Sequence, residues 1–142
     1  MTKRFTAFIG FVLEHEGGTY ENDPDDPGGE TKWGIDKRSH PKVDIRNLTK
    51  EDATEIYYAS YWKPNRCETL ALKLGESHFD ACVNCGSGRA NRFLKASGSN
   101  VSKYNDERDA FYHRLVDARP RSQKYLKGWL RRTADLRKFL NI

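Results

Sequence analysis

Between residues 11 and 35 the chain reads FVLEHEGGTYENDPDDPGGETKWGI, and side chains able to move protons are concentrated there. Glu14 and Glu16 close an apolar run. Asp23, Asp25 and Asp26 follow in a Pro/Gly-rich stretch, and Thr31 stands beyond a second glycine pair. Two carboxyl groups in unlike surroundings can divide acid–base work. One, kept protonated by partial burial, donates a proton; the other, ionised, stabilises developing positive charge or activates water. Glycoside hydrolysis uses such a pair.

The spacing of the first apolar run separates the two glutamates. Residues 2–16 read as an amphipathic helix with Phe5, Phe8, Ile9 and Val12 on one side, stopped by Gly17 and Gly18. With Phe5 at zero on a helical wheel, Ile9 falls near roughly 40°, Val12 near roughly −20° and Glu16 near roughly 20°. Glu14 falls at about 180°, where a solvated carboxylate costs nothing. A glutamate on the apolar stripe must be paired or neutralised. Glu16 is therefore either an acid or a structural partner of one of the arginines, and burial alone leaves both open. The glycines after it give the backbone a sharp turn and leave space beside the side chain. The loop beyond returns Asp23, Asp25 and Asp26 over the helix end. Read without chemistry, DPDD is a turn sequence; it lacks the ligand spacing of an EF-hand calcium loop.

The rest of the chain supplies the elements that must hold these groups. Residues 19–35 fit a hairpin and loops, with a short strand over 31–35. Residues 41–48 form a connection. Thr49-Lys-Glu-Asp52 has the form of a capping box ahead of a helix over 50–61, which carries Ala53, Ile56, Tyr57 and Tyr61 on one side and ends before Pro64. Helices are expected over 67–83, 89–96, 102–118 and 122–140, the last with Leu126, Trp129, Leu130, Thr133, Leu136 and Leu140 along one stripe. The expected class is α+β: mostly helical, with one small β region after the first helix and no internal repeat or linker.

At 142 residues the chain is sized for a single domain, expected over 1–142, with a real core. Its net charge is +5, unevenly spread. Residues 1–88 hold 11 Lys/Arg and 15 Asp/Glu, and residues 89–142 hold 14 and 5. A basic half suits an anionic partner such as a cell wall, a membrane surface or nucleic acid, although a solvated basic face is the plainer reading. Nucleic acid is disfavoured by the acidic N-terminal half and by the lack of any helix-turn-helix or RNA-binding signature. The basic 122–140 helix could lie on an anionic envelope, but a domain this size needs its apolar stripe for the core, so docking is the expected outcome. Neither a transmembrane segment nor a secretory signal is read, so the expected place of synthesis is a cytoplasm. Cys67, Cys82 and Cys85 are an odd count, and a lone C-x-x-C lacks the second pair of a zinc site; reduced, partly buried thiols are expected.

Glu16, eight residues, Asp25, five residues, Thr31 resembles the Glu/Asp/Thr spacing of phage-type lysozymes. EHEGGTYENDPDDPGGETKWGI resembles, more closely, glycoside hydrolase family 108, the EGGY-motif N-acetylmuramidases. KRSHP at 37–41, YYASYW at 57–62, FDACVNCGSGRA at 79–90 and FLKASG at 93–98 extend the resemblance along nearly the whole chain. YLKGWLRR at 125–132 resembles the part of that family called peptidoglycan-binding, so 1–88 is read as the catalytic portion and 89–142 as the basic helical portion.

The resemblance implies a lysozyme-like α+β fold with a cleft between the β region and the helical body. It implies hydrolysis of the β-1,4 bond between N-acetylmuramic acid and N-acetylglucosamine, with Glu16 as the essential acid and no cofactor or metal. Thr19 interrupts the family's E-G-G-Y, which leaves the second carboxylate between Asp25, favoured by counting forward from Glu16, and Asp26, favoured by counting back from PGGxT. Thr31 would hold the attacking water or orient the carboxylate. Tyr20, Trp33, Tyr58 and Trp62 are candidates for sugar stacking, though Tyr58 and Trp62 lie at helical spacing, where aromatics are more often core. Asn84 would hydrogen-bond substrate or cap a helix. The implied setting is a monomeric phage endolysin acting on peptidoglycan after release from the host cytoplasm. Two other readings stay open: a lytic transglycosylase on the same fold, and a non-catalytic wall-binding module.

Overall fold

The computed structural model describes residues 1–142 as two compact units, Met1–Trp62 and Lys63–Ile142. The packing divides the chain at 62/63.

The first unit opens with α1, Lys3–Glu16. Thr2 caps it, its Oγ1 accepting from the Phe5 N–H at 3.2 Å. Phe5, Phe8, Ile9 and Val12 are buried as the wheel requires, and Phe11 and Leu13 join them. Glu14 is exposed and Glu16 half-buried. Gly17, at φ +79°, ends the helix in a conformation side chains rarely adopt. A three-stranded antiparallel sheet follows, in the order β1 (Glu21–Asn22), β2 (Glu30–Lys32), β3 (Ile35–Asp36). Thr31 pairs with Glu21 on one side and Asp36 on the other.

The single strand expected over 31–35 is in fact two strands joined by a two-residue turn. Trp33 and Gly34 both have positive φ, 54° and 78°, the condition of the tight hairpin turn whose twist matches its strands. Tryptophan is an unusual occupant of such a position, and its packing, described below, holds it there. The helix α2, Lys50–Tyr57, has the full capping box of Thr49 and Asp52. It runs on as a π turn, Tyr58–Trp62. The i→i+5 repeat turns fewer degrees per residue than an α-helix, so Tyr57 and Trp62 are both buried although five residues apart.

The second unit is helical: α3 (Leu74–Cys85), α4 (Ser87–Ser97), α5 (Val101–Ala118) and α6 (Gln123–Leu140). The continuous helix expected from residue 67 is broken into a short 3-10 turn, Cys67–Thr69, and α3. Lys73 stands at φ 74° before the helix, and its N–H is taken by Glu76 Oε1 at 3.1 Å. Every residue from Leu74 to Cys82 is buried, so α3 is the axis of the unit. Ala81 and Cys82 pack with Ala90, Phe93 and Tyr104 in its core. The stripe of α6 docks as expected, with Thr133, Leu136 and Leu140 buried, while Lys124, Lys127, Arg131 and Lys138 face solvent. No helix is long and apolar enough to cross a membrane.

Candidate active site

Glu16 occupies a corner of the first unit where the end of α1, the β2–β3 turn and the end of α2 meet. A Cβ built on Gly34 would strike the Tyr57 hydroxyl and come within 2.7 Å of Glu16 Cγ and 2.8 Å of Oε1. Gly34 is thus demanded twice, by its φ of +78° and by the carboxyl and phenol that close over it. The turn is pinned from both sides. The Trp33 N–H donates to Gly17 O at 3.0 Å, and Trp33 O accepts from the Tyr57 hydroxyl at 2.7 Å. The Trp33 ring lies so close over Gly18 that a Cβ there would meet Cζ2 at 2.5 Å. The glycine pair after Glu16 therefore has separate duties, Gly17 in turning the chain and Gly18 in making room for the indole.

A second phenol stands near the acid. Burial, then the charges of Asp36 and Glu16, push the Tyr61 hydroxyl above its ordinary value. His40 Nε2 lies 3.1 Å from that hydroxyl. Asp36 Oδ2 accepts from the Ser39 N–H at 3.0 Å. Tyr57, Tyr61, Gly34, Asp36 and His40 were not singled out as site residues from the sequence. The nearest signal was the YYASYW stretch, whose Tyr57 and Tyr61 share one side of the helix.

The loop carboxylates differ in what they hold. Asp26 Oδ1 accepts from the Gly28 N–H at 2.8 Å and closes the turn. Asp23 Oδ1 accepts from the Asp25 N–H at 2.9 Å. Asp25 is exposed, and its carboxylate takes no part in the hydrogen bonds that shape the loop. Thr31, half-buried, donates to Gly29 O over a long 3.4 Å, which leaves its hydroxyl easy to redirect.

The aromatic candidates separate. Tyr20 is half-buried, its hydroxyl donating to Glu30 Oε2 at 2.9 Å and one face covered by the Arg46 guanidinium at 4.7 Å. Trp33 is half-buried beside Glu16's corner. Tyr58 is half-buried with its ring 5.0 Å from Phe5, edge-on. Trp62 is 1% exposed, packed edge-on against Phe5 at 5.5 Å, and cannot stack a sugar as expected; the π turn has carried it into the core. Asn84, in the second unit, accepts from Arg108 at 3.4 Å and from the Tyr112 hydroxyl, so its amide oxygen is committed to a protein network. A surface groove lined by Val43, Asp44, Leu48, Asp52 and Ile56 among others holds none of the candidate residues.

The cysteines are all free. Burial pushes the Cys82 thiol up to about 12, which removes it as a thiolate nucleophile or ligand near neutral pH. No three His, Cys, Asp or Glu side chains are grouped to hold a metal ion.

A small antiparallel sheet beside helices, with a carboxyl at the end of the first helix, is the α+β architecture of lysozyme-like proteins. The solved structure of Brucella abortus SagA shares this fold, with a TM-score of 0.76 over 96% of this chain and 92% of that one at 23% sequence identity. No curated protein matches the sequence. The family model of glycosyl hydrolase 108 matches residues 9–86, more than half the chain, and the chain belongs to that family. It is a glycoside hydrolase, of a family that implies peptidoglycan as substrate.

Proposed function

We propose that the protein is an N-acetylmuramidase that hydrolyses the β-1,4 bond between N-acetylmuramic acid and N-acetylglucosamine. The observation that carries this reading is the corner around Glu16, inside the family match, where Gly34 and Tyr57 fix a half-buried carboxyl at the end of α1. Glu16 protonates the glycosidic oxygen as the bond to the anomeric carbon breaks. Asp25, ionised, stabilises the positive charge on the sugar or activates the water that completes hydrolysis, and Thr31 orients that water. The engagement of Asp26 in its turn supports Asp25 over Asp26. Tyr20, Trp33 and Tyr58 offer partly exposed ring surface to the glycan.

The setting proposed is that of a monomeric phage endolysin, made in a host cytoplasm and acting on the wall once released. Its support is the family resemblance together with the basic second unit, where 17 Lys/Arg outnumber 8 Asp/Glu and attract an anionic wall. The exposed cations of α6 would also allow a transient electrostatic contact with anionic lipid.

The test is digestion of purified peptidoglycan by wild type and by Glu16→Gln, with released muropeptides read by mass spectrometry. Reducing muramic-acid ends from wild type and none from the folded variant are expected. Anhydro ends would replace hydrolysis by transglycosylation. Wall binding without any product from wild type would overturn the enzymatic reading of this site.

A further inference from the structure

We propose that Asp36 is a catalytic residue which, with Thr31, holds the attacking water and takes its proton, an inference that rests on the reading of the site as a hydrolase with Glu16 as its acid. Thr31 and Asp36 stand directly opposite each other on neighbouring antiparallel strands. Residues so paired project to one face of the sheet, with Cβ atoms about 5 Å apart. The next pair, Lys32 with Ile35, projects to the other face, where Ile35 is buried. Thr31 and Asp36 are both half-buried and stay within reach of water. Both side chains lean toward the second glycine pair. Thr31 Oγ1 lies 3.4 Å from Gly29 O, and a Cβ built on Gly28 would stand 3.2 Å from Asp36 Oδ2. A Cβ on Gly29 would meet only Lys37 Cβ, at 4.0 Å, so the space beside that glycine is open.

The two oxygens of Asp36 have different duties. Oδ2 accepts from the Ser39 N–H at 3.0 Å, which fixes the side chain at the head of a turn. Oδ1 makes no hydrogen bond within the protein, and a carboxylate oxygen accepts readily from water. The backbone around the pair is held in register. The Lys37 N–H donates to Glu30 O at 2.9 Å, and the Arg38 N–H to Gly28 O at 3.1 Å. The Thr31 hydroxyl, engaged only over its long contact with Gly29 O, supplies the second hold on the water. The acid is close by, since the charges of Asp36 and Glu16 both act on the Tyr61 hydroxyl. In the step, the water oxygen bonds to the anomeric carbon as the glycosidic carbon–oxygen bond breaks. Asp36 takes one proton from the water, and Glu16 gives its own to the leaving oxygen. Exchange with solvent then returns both carboxyls to their starting states. Asp25 is left with the stabilisation of positive charge on the sugar.

The experiment compares kcat and KM on peptidoglycan for wild type, Glu16→Gln, Asp36→Asn, Thr31→Val and the Asp36→Asn/Thr31→Val double variant. Asparagine keeps an oxygen for the Ser39 N–H and puts an amide donor where the free oxygen was. Asp36→Asn should lower kcat about 10²-fold or more, with KM and melting temperature unchanged. If both side chains hold one water, Thr31→Val should cost several-fold less in the Asp36→Asn background than in wild type. A purely structural Asp36 would lower the melting temperature and leave kcat per folded molecule as it was. That result, or losses in kcat that multiply independently, would overturn the proposal. If Asp36→Asn does not fold, Asp36→Thr, whose hydroxyl can still accept from the Ser39 N–H, is measured in its place with the same outcomes. Glu16→Gln separates this inference from the reading beneath it. Full activity there ends the reading of Glu16 as the acid, whereas its inactivity beside a fully active Asp36→Asn ends only the role of Asp36. Anhydro ends from wild type would mean that no water attacks, and would overturn the proposal.

Discussion

Glu16 and Asp80 are both carboxylates on helices whose neighbours are largely buried, yet the molecule surrounds them with different groups. Asp80, in α3, is 0% exposed and clasped by two guanidiniums, Arg108 at 2.8 Å and Arg132 at 2.8 Å. Burial alone would push its carboxyl up, but the charges and hydrogen bonds of Arg132 and Arg108 outweigh that and hold it at about 2. It cannot exchange protons near neutral pH, and it spans α3, α5 and α6 as a cross-link. Glu16 is half-buried at a helix end, beside the Gly34 turn and the Tyr57 phenol. A carboxyl can serve structure through fixed ionisation or serve chemistry through a labile proton. Which it does depends on the groups the fold packs against it.

The largest effect expected from this contrast is kinetic. Glu16→Gln keeps shape and removes the proton, and turnover of peptidoglycan should fall about 10²–10⁴-fold with unchanged circular dichroism. Asp80→Asn should do the reverse, leaving Arg108 and Arg132 buried without their counter-charge. Denaturant melts should show about 3–5 kcal/mol lost, and activity per folded molecule should be retained. Loss of activity without loss of stability in Asp80→Asn would erase the distinction.

Gly34→Ala joins the two effects. The new methyl must displace the Tyr57 hydroxyl and the Glu16 carboxyl at φ +78°. A loss of about 1–3 kcal/mol in thermal or urea unfolding, with most activity gone, is the expected result. The loop sharpens the same comparison on a smaller scale. Asp25→Asn should cost activity about 10–100-fold without measurable change in stability. Asp26→Ala should cost about 1 kcal/mol, because the Gly28 N–H loses its acceptor, and should retain turnover.

A separate effect, on stability alone, is in pH. Burial pushes His78 down to about 4, where it lies 2.8 Å from the Tyr104 hydroxyl. The unfolded chain binds that proton near 6.5. Between the two values the unfolded state is protonated and the folded state is not, so stability is complete above 6.5 and falls as pH drops toward 4. Asp80 acts lower. Its contribution is present above its unfolded value near 3.9 and lost as pH falls through about 2. Melting temperatures should decline from pH 7 to 4.5, and His78→Gln should flatten that decline.

Much of the local structure was legible because its causes are local. The Thr2 cap, the Thr49 capping box, the stop at Gly17 and the stripe of α6 each follow from residues within a turn or two of one another. The helical wheel placed Glu16 toward the packed side and Glu14 in solvent, as observed. The Trp33-Gly34 turn was not legible, since tryptophan is a poor turn signal and is held by Gly17, Gly18 and Tyr57 from two other elements. The π turn that buries Trp62 was hidden for the same reason: its sequence reads as plain α-helix.

By itself, the sequence determined where α1 and α2 begin and where α1 stops, which glutamate faces inward and which family motif the chain carries. Those depend on φ preferences, caps and periodicity, all short-range. Only the tertiary structure decided that Tyr57 and Gly34 enclose Glu16, that Asp26 is spent on a turn, and that Asp80 is locked by arginines 28 and 52 residues away. Proton chemistry is set by which groups touch a carboxyl through space, and no local rule of the chain specifies those neighbours.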